Sequence, residues 1–133
     1  MKKTFQIAAL PGDGIGPEVM RATLDAIEAA ATQTGVSMNV TEHDAGAELY
    51  RRTNTALPDE VLTECKTADA VLLAAIGLPD VRNPDGTEVQ PTMMVGLRRE
   101  LGLYAAVRPI KLYRGVPSPL KNADQGIDFI IVR

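Results

Sequence analysis

The sequence is poor in aromatic residues, cysteine and histidine. Tryptophan is absent, and aromatic residues make up 4% of the 133 positions. Ala, Leu, Ile and Val must therefore fill whatever core forms. Cys65 is the only cysteine, which excludes an internal disulfide and fits a reducing compartment. It follows Val61 and Leu62 at helical spacing and reads as a small buried apolar residue. His43 is the only histidine and stands between Glu42 and Asp44. On a strand both neighbours point to the face opposite the imidazole, so no ligand cluster forms around it. There is no basic run of five or more, and the formal net charge is -3, which excludes nucleic-acid binding through bulk charge. No apolar run approaches the roughly 20 residues needed to span a bilayer. Phe5 to Leu10 is too short for a signal-peptide core and runs into a glycine turn. The chain reads as soluble and cytoplasmic, with neither a membrane nor a nucleic acid as partner.

What is present is a globular composition, 45% hydrophobic and 23% charged, at the length of one ordinary domain. Phe5 to Leu10 reads as a strand. Pro11 to Gly16 follows as a tight turn, and Pro17 suits the first helical position. Met20, Leu24, Ile27 and Ala31 form one apolar helical stripe that ends at Gly35. Ser37 to Val40 reads as a second strand, and Ala45 to Arg52 as a short helix. Leu57-Pro58-Asp59-Glu60 opens another helix. Ala70 to Ile76 is a continuous apolar run that reads as a buried strand. Gly77 to Pro91 reads as a loop, with three prolines and two glycines. A helix from about Thr92 to Leu101 places Met94, Leu97 and Leu101 on one side. Leu103 to Val107 then reads as a largely buried strand, Tyr113 to Asp124 as irregular, and Ile127 to Val132 as a last strand. Strands alternating with helices predict an α/β layered fold with parallel pairing.

Gly12-Asp13-Gly14-Ile15-Gly16 lies between a strand and a helix, which invites a dinucleotide reading. Pro17 stands where the Rossmann fingerprint needs a glycine or small residue, so that match fails. The stretch Leu97-Arg98-Arg99-Glu100-Leu101-Gly102-Leu103-Tyr104-Ala105-Ala106-Val107-Arg108-Pro109 carries more chemistry. Arg98 falls near a helix end and Arg108 on an extended segment before proline. A guanidinium stays charged and grips a carboxylate through two parallel hydrogen bonds. Each such bond contributes about 1.5–3 kcal/mol. On spacing alone, solvated arginines or surface ion pairs remain the alternative.

That stretch closely resembles the substrate-binding segment of the metal-dependent, decarboxylating 2-hydroxyacid dehydrogenases, the isocitrate/isopropylmalate dehydrogenase family. Three more stretches agree in order: Leu10-Pro11-Gly12-Asp13-Gly14-Ile15-Gly16-Pro17-Glu18, Gly115-Val116-Pro117-Ser118-Pro119-Leu120-Lys121, and Ile127-Asp128-Phe129-Ile130-Ile131-Val132-Arg133. The resemblance implies a three-layer α/β fold that is not a Rossmann domain. It divides the chain into 1–102, the start of a cofactor-side domain, and 103–133, the start of a substrate and dimerisation domain. It implies oxidation of a 2-hydroxy acid bearing a carboxylate on its third carbon, with NAD or NADP as hydride acceptor and Mg2+ or Mn2+ as Lewis acid. By motif position Arg98, Arg108 and Arg133 match the three arginines that hold that carboxylate. Ile15, Gly77, Leu78, Pro79 and Pro91 match the cofactor side.

Substrate choice in the family comes from the start of the helix carrying Arg98. Thr92 matches the serine or threonine of isocitrate enzymes. Met94 matches a leucine that lines the alkyl pocket of isopropylmalate enzymes. Pro91 replaces the glutamate typical of the latter, and Gly115 to Lys121 looks more like the isocitrate and homoisocitrate members. 3-Isopropylmalate ranks first, then isocitrate or homoisocitrate, then D-malate or tartrate. The family's metal-binding aspartates, catalytic lysine and tyrosine acid come after the matched region. The 133-residue chain is therefore expected to be inactive alone and to work, full-length, as a homodimer. A non-catalytic regulatory or anion-binding relative is the other reading.

Overall fold

The computed structural model describes residues 4–133. They divide into two compact units, Met1–Leu101 and Gly102–Arg133. In the first, β1 (Thr4–Leu10) leads through a tight turn into α1 (Gly16–Thr34), which returns the chain to β2 (Ser37–Glu42). Two short helices follow, α2 (Ala47–Thr53) and α3 (Asp59–Thr67), then β3 (Ala70–Leu73) and α4 (Val89–Glu100). The sheet order is β2-β1-β3, and both pairings are parallel, Thr4↔Ser37 and Ile7↔Ala70 at their starts.

The middle strand carries the core. Ala8, Ala9 and Leu10 are buried, and alternation sends Ala9 to the face opposite Ala8 and Leu10. Ala8 and Leu10 pack with Ala45, Val61 and Cys65, and with Met93 and Leu97 of α4. A smaller cluster joins Ala47, Val81 and Val89. Two polar links set the edges of these layers. Gln6 and Asp69 exchange bonds, Gln6 N to the carboxylate at 2.9 Å and Asp69 N to Gln6 O at 2.8 Å. Lys66 on α3 donates to Glu100 at the end of α4 at 2.6 Å.

The helix signals act as expected. Pro17 lies in the first turn of α1, and Gly35 closes it at φ 70°. Gly102 follows α4 at φ 64°. Four expectations need correcting. The apolar run 70–76 gives only the four residues of β3, Ala70 exposed and the other three half-buried, an edge of this sheet rather than its centre. Helix α4 starts at Val89, so Pro91 sits inside its first turn, where the missing N–H would have had no helical partner. The buried stripe of α4 is Val89, Met93 and Leu97, and Met94 is rotated off it to a half-buried position. Residues 103–106 are not a buried strand: Tyr104 is 97% exposed, and the strand proper begins at Val107.

The second unit is a two-stranded antiparallel ribbon of β4 (Val107–Lys111) and β5 (Asp128–Val132), with one turn of 3-10 helix at Ala123–Gln125. Its pairing runs from Val107↔Val132 to Lys111↔Asp128, so the expectation of parallel pairing holds only for the first unit. Every residue of both strands is exposed. Residues 103–105 have no ladder partner among the described residues, which is why their apolar run does not become strand.

The β1–α1 turn is the tightest part of the first unit. Gly12 has φ +72°, and a Cβ there would lie 2.2 Å from Ala75 O. Gly14 has φ +57° with open space around it. Gly12→Ala is expected to lower stability by about 3 kcal/mol, from the left-handed backbone and the clash together. Gly14→Ala is expected to cost only the backbone share, about 1 kcal/mol. Urea titration of both variants checks this, and equal losses would contradict the packing around Gly12.

Candidate functional site

Helix α4 offers two contrasting faces. At helical spacing Pro91, Met94, Val95 and Arg98 share the side turned away from Val89, Met93 and Leu97. Arg98 and Val95 are exposed and Met94 is half-buried. Arg98 also lies in the last turn, where the helix dipole favours a cation. Arg98 is thus a guanidinium flanked by apolar side chains. Thr92 lies on another flank, in the lining of a cavity of about 280 Å³ with Tyr50, Leu57, Leu62 and Met93. The two candidate selectivity residues therefore do not face one space. Val95 escaped the sequence reading, although its three-residue spacing from Arg98 was a usable signal.

The ribbon brings the other two arginines together. Arg108 stands opposite Ile131. Ala106 and Arg133 exchange backbone bonds at 2.9 and 3.0 Å. Directly opposed residues share a face, and so do alternate ones, so Arg108 and Arg133 project from the same face on a diagonal, about 7–8 Å apart at that spacing. Lys111 and Asp128, opposed on the other face, pair at 2.9 Å. Among the described residues, Arg98, Arg108 and Arg133 have no ion pair or side-chain hydrogen bond, whereas Arg51 holds Glu48 and Asp80 at 2.8 and 2.6 Å. Arg21, Arg99 and Arg114 are equally free, so freedom alone does not mark a binding arginine.

On the cofactor side, Gly77, Leu78 and Pro79 line one cleft of about 170 Å³ with Ile76, Val81, Glu88, Val89 and Gln90. Ile15 and Pro91 do not line it. Ile15 caps α1 and is exposed. The lining mixes apolar side chains with the polar Glu88 and Gln90. The cleft is below the roughly 300–1,000 Å³ of a full ligand pocket. Among the described residues, no group of three or more His, Cys, Asp or Glu side chains is placed to hold a metal ion. His43 has no such cluster around it. The thiol of Cys65 is pushed up by burial and by Glu64, so it is protonated and no nucleophile.

One residue behind this cleft was invisible as such in the sequence. Asp13 is 4% exposed. Its carboxylate accepts from Ala47 N at 2.7 Å, Glu48 N at 2.8 Å and Gly77 N at 2.7 Å. Its own N–H donates to Ala75 O at 2.8 Å. The motif looked like a glycine turn, yet its buried carboxylate is what ties the turn to α2 and to the cleft.

The sequence profile of the isocitrate/isopropylmalate dehydrogenase family matches residues 6–133. The chain belongs to this family. It is 41% identical to the 3-isopropylmalate dehydrogenase of Staphylococcus haemolyticus across 98% of its own length and 38% of that protein's. Against the 3-isopropylmalate dehydrogenase of Streptococcus pneumoniae the identity is 42%, across 96% of this chain and 37% of the relative. The isocitrate dehydrogenase of Methylococcus capsulatus superposes with a TM-score of 0.74 at 28% identity, over 96% of this chain and 34% of that one. A beta-decarboxylating dehydrogenase from Thermococcus kodakarensis superposes at 0.71 and 30%, over 97% and 33%. The fold is thus the α/β fold of isocitrate/isopropylmalate dehydrogenases, and the chain spans little more than a third of its relatives. No helix among the described residues is long and apolar enough to cross a membrane.

Next to the cleft, the loop before α4 is pinned by Asp85. Its carboxylate accepts from Thr87 Oγ1 at 2.6 Å and Thr87 N at 2.9 Å, which lowers its pKa. A lowered folded-state pKa means this grip is complete above the ordinary carboxylate range and is lost as pH falls through the lowered value. Thr87→Val is expected to move the Asp85 titration up towards the ordinary range. Carboxyl NMR titration of both forms checks it, and an unmoved midpoint would rule out Thr87 as the cause.

Proposed function

We propose that this chain supplies the carboxylate-binding arginines and part of the cofactor cleft of an NAD(P)-dependent, decarboxylating 2-hydroxyacid dehydrogenase, acting on 3-isopropylmalate. The observation that carries the reading is the shared face of Arg108 and Arg133, with no counter-ion on either among the described residues. Two guanidinium groups on one face suit one carboxylate held in bidentate fashion. Arg98, matched by motif to the family's third carboxylate arginine, stands on α4 with Met94 and Val95 beside it. The relatives named 3-isopropylmalate dehydrogenase, near 40% identity, support that substrate over isocitrate, homoisocitrate, D-malate or tartrate.

The arginines bind and orient. Permanently charged, they need no proton transfer to act, and they exclude neutral analogues that leave them unpaired. Fixing the acid in one pose contributes through lost freedom prepaid on binding. The cleft at Gly77, Leu78 and Pro79 receives one ring of the cofactor and shields it from water. Bound NAD or NADP supplies the hydride acceptor. Among the described residues, no group of three or more His, Cys, Asp or Glu side chains is placed for a Mg2+ or Mn2+ ion. Its ligands are assigned to the part of the relatives' length that this chain does not span, and so is the proton chemistry. The chain alone is inactive, and the whole protein works as a homodimer.

The test is NAD and NADP reduction by the full-length protein with magnesium or manganese, using the five acids side by side. Activity on 3-isopropylmalate is expected; silence on all five would favour a non-catalytic relative. In the active protein, Arg108→Ala is expected to lower kcat/KM at least a hundredfold, about 2.7 kcal/mol. An unchanged value would remove Arg108 as a substrate anchor. Met94→Ala is expected to raise KM for the alkyl-bearing acid about tenfold, the scale of a lost apolar contact. Thr92→Ala is expected to leave that KM within about twofold, and steady-state kinetics with the reverse ranking would exchange the two roles.

A further inference from the structure

Asp13 makes bonds to three separate segments, and one of them is the cofactor cleft. The carboxylate is buried, and it holds Gly77 N at 2.7 Å while two further N–H groups, from Ala47 and Glu48, hold it in turn. Gly77 opens the cleft and has φ +103°, a backbone state that little but glycine tolerates. A Cβ on Gly77 would lie 3.1 Å from that of Gln90 on the opposite wall, so the two walls of the cleft are close at this point. Gly46, at the start of α2, is equally committed: a Cβ there would lie 2.5 Å from the Asp13 carboxylate. The carboxylate therefore has no room to swing, and the Gly77 N–H has a fixed acceptor.

We infer that Asp13 is a positioning residue for the nicotinamide cofactor: its buried carboxylate holds Gly77 in the conformation that keeps the cleft open to one ring. This rests on the dehydrogenase reading above. Asp13 touches neither cofactor nor substrate in this role. Its Gly77 bond is spent inside the protein, so Gly77 contributes shape rather than a donor to the ligand. Neutralising Asp13 puts an amide N–H₂ or a weaker acceptor against three N–H groups. The Gly77 end, at a loop, is the one free to move, because α2 is held by its own helical bonds. Cofactor affinity should then fall without loss of affinity for the hydroxy acid, which the arginines bind.

The experiment uses the full-length protein containing this chain. NADH and NADPH binding to wild type and D13N is measured by calorimetry, 3-isopropylmalate binding in parallel, and deuterium exchange at the Gly77 amide by NMR. The expected result is at least a tenfold weaker cofactor Kd, a hydroxy-acid Kd within twofold, and at least tenfold faster exchange at Gly77. An unchanged cofactor Kd, or an equal loss for both ligands, overturns the proposal, the latter because it marks a general structural role. If wild type binds neither NADH nor NADPH, the dehydrogenase reading itself fails and takes this inference with it. If D13N does not fold, wild type decides: a slowly exchanging Gly77 amide without cofactor upholds the proposal, and a freely exchanging one overturns it.

Discussion

One buried carboxylate sets the geometry of the first unit. Asp13 takes three backbone donors at 2.7–2.8 Å, one from the cleft and two from the start of α2. Hydrogen bonds to a charged group contribute about 1.5–3 kcal/mol each, and a buried charge stripped of them costs more. The first turn of α2 is a natural place for the charge, since its N–H groups lack helical partners. The same turn explains the glycines around it. Gly12 leaves room for the carbonyl of Ala75, Gly16 for the carbonyls of Pro11 and Ala75, and Gly46 for the carboxylate. The glycines are spaces cleared for one anion and two carbonyls.

Around that centre, charged side chains do two different kinds of work. Lys66 with Glu100, Arg51 with Glu48 and Asp80, and Lys111 with Asp128 are exposed pairs. Such pairs stabilise by at most about 1 kcal/mol. They keep surface charge balanced where no ligand is wanted. Among the described residues, Arg98, Arg108 and Arg133 stay unpaired on faces that also present Met94, Val95 and Ile131. An arginine beside an apolar group, rather than beside a carboxylate, is available to an incoming acid.

Much of this was legible in the order of residues. The strand–turn–helix start showed in Phe5 to Glu18, because period-two apolarity meets a glycine turn and then Pro17. Gly35 and Gly102 marked helix ends for the same local reason. Motif likeness singled out Arg98, Arg108 and Arg133 as the proposed carboxylate anchors. What local pattern lacks is phase and partner. Met93 and Met94 are chemically the same residue one step apart, and only packing on Leu10 and Leu97 decides which is buried. The apolar runs at 70–76 and 103–107 have the composition of buried strands, yet strand length depends on what lies alongside. The burial of Asp13 depends on donors at residues 47, 48 and 77, so no window around residue 13 reveals it. The common face of Arg108 and Arg133 required the antiparallel register of β4 and β5.

The arrangement of the sheet also fixes an order of events as the chain is made. The middle strand comes first in sequence, and its contacts come late. Gln6 meets Asn39 across 33 residues, and Asp13 meets Gly77 across 64. Helices form in microseconds once their residues exist. At about 5–20 residues per second of synthesis, Asp13 waits roughly 3–13 s for its last donor. Throughout that time an apolar strand with an open edge and a charge destined for burial remain in water. In a growing chain built this way, one edge of β1 is covered once β2 is made, and the other stays open until β3 follows.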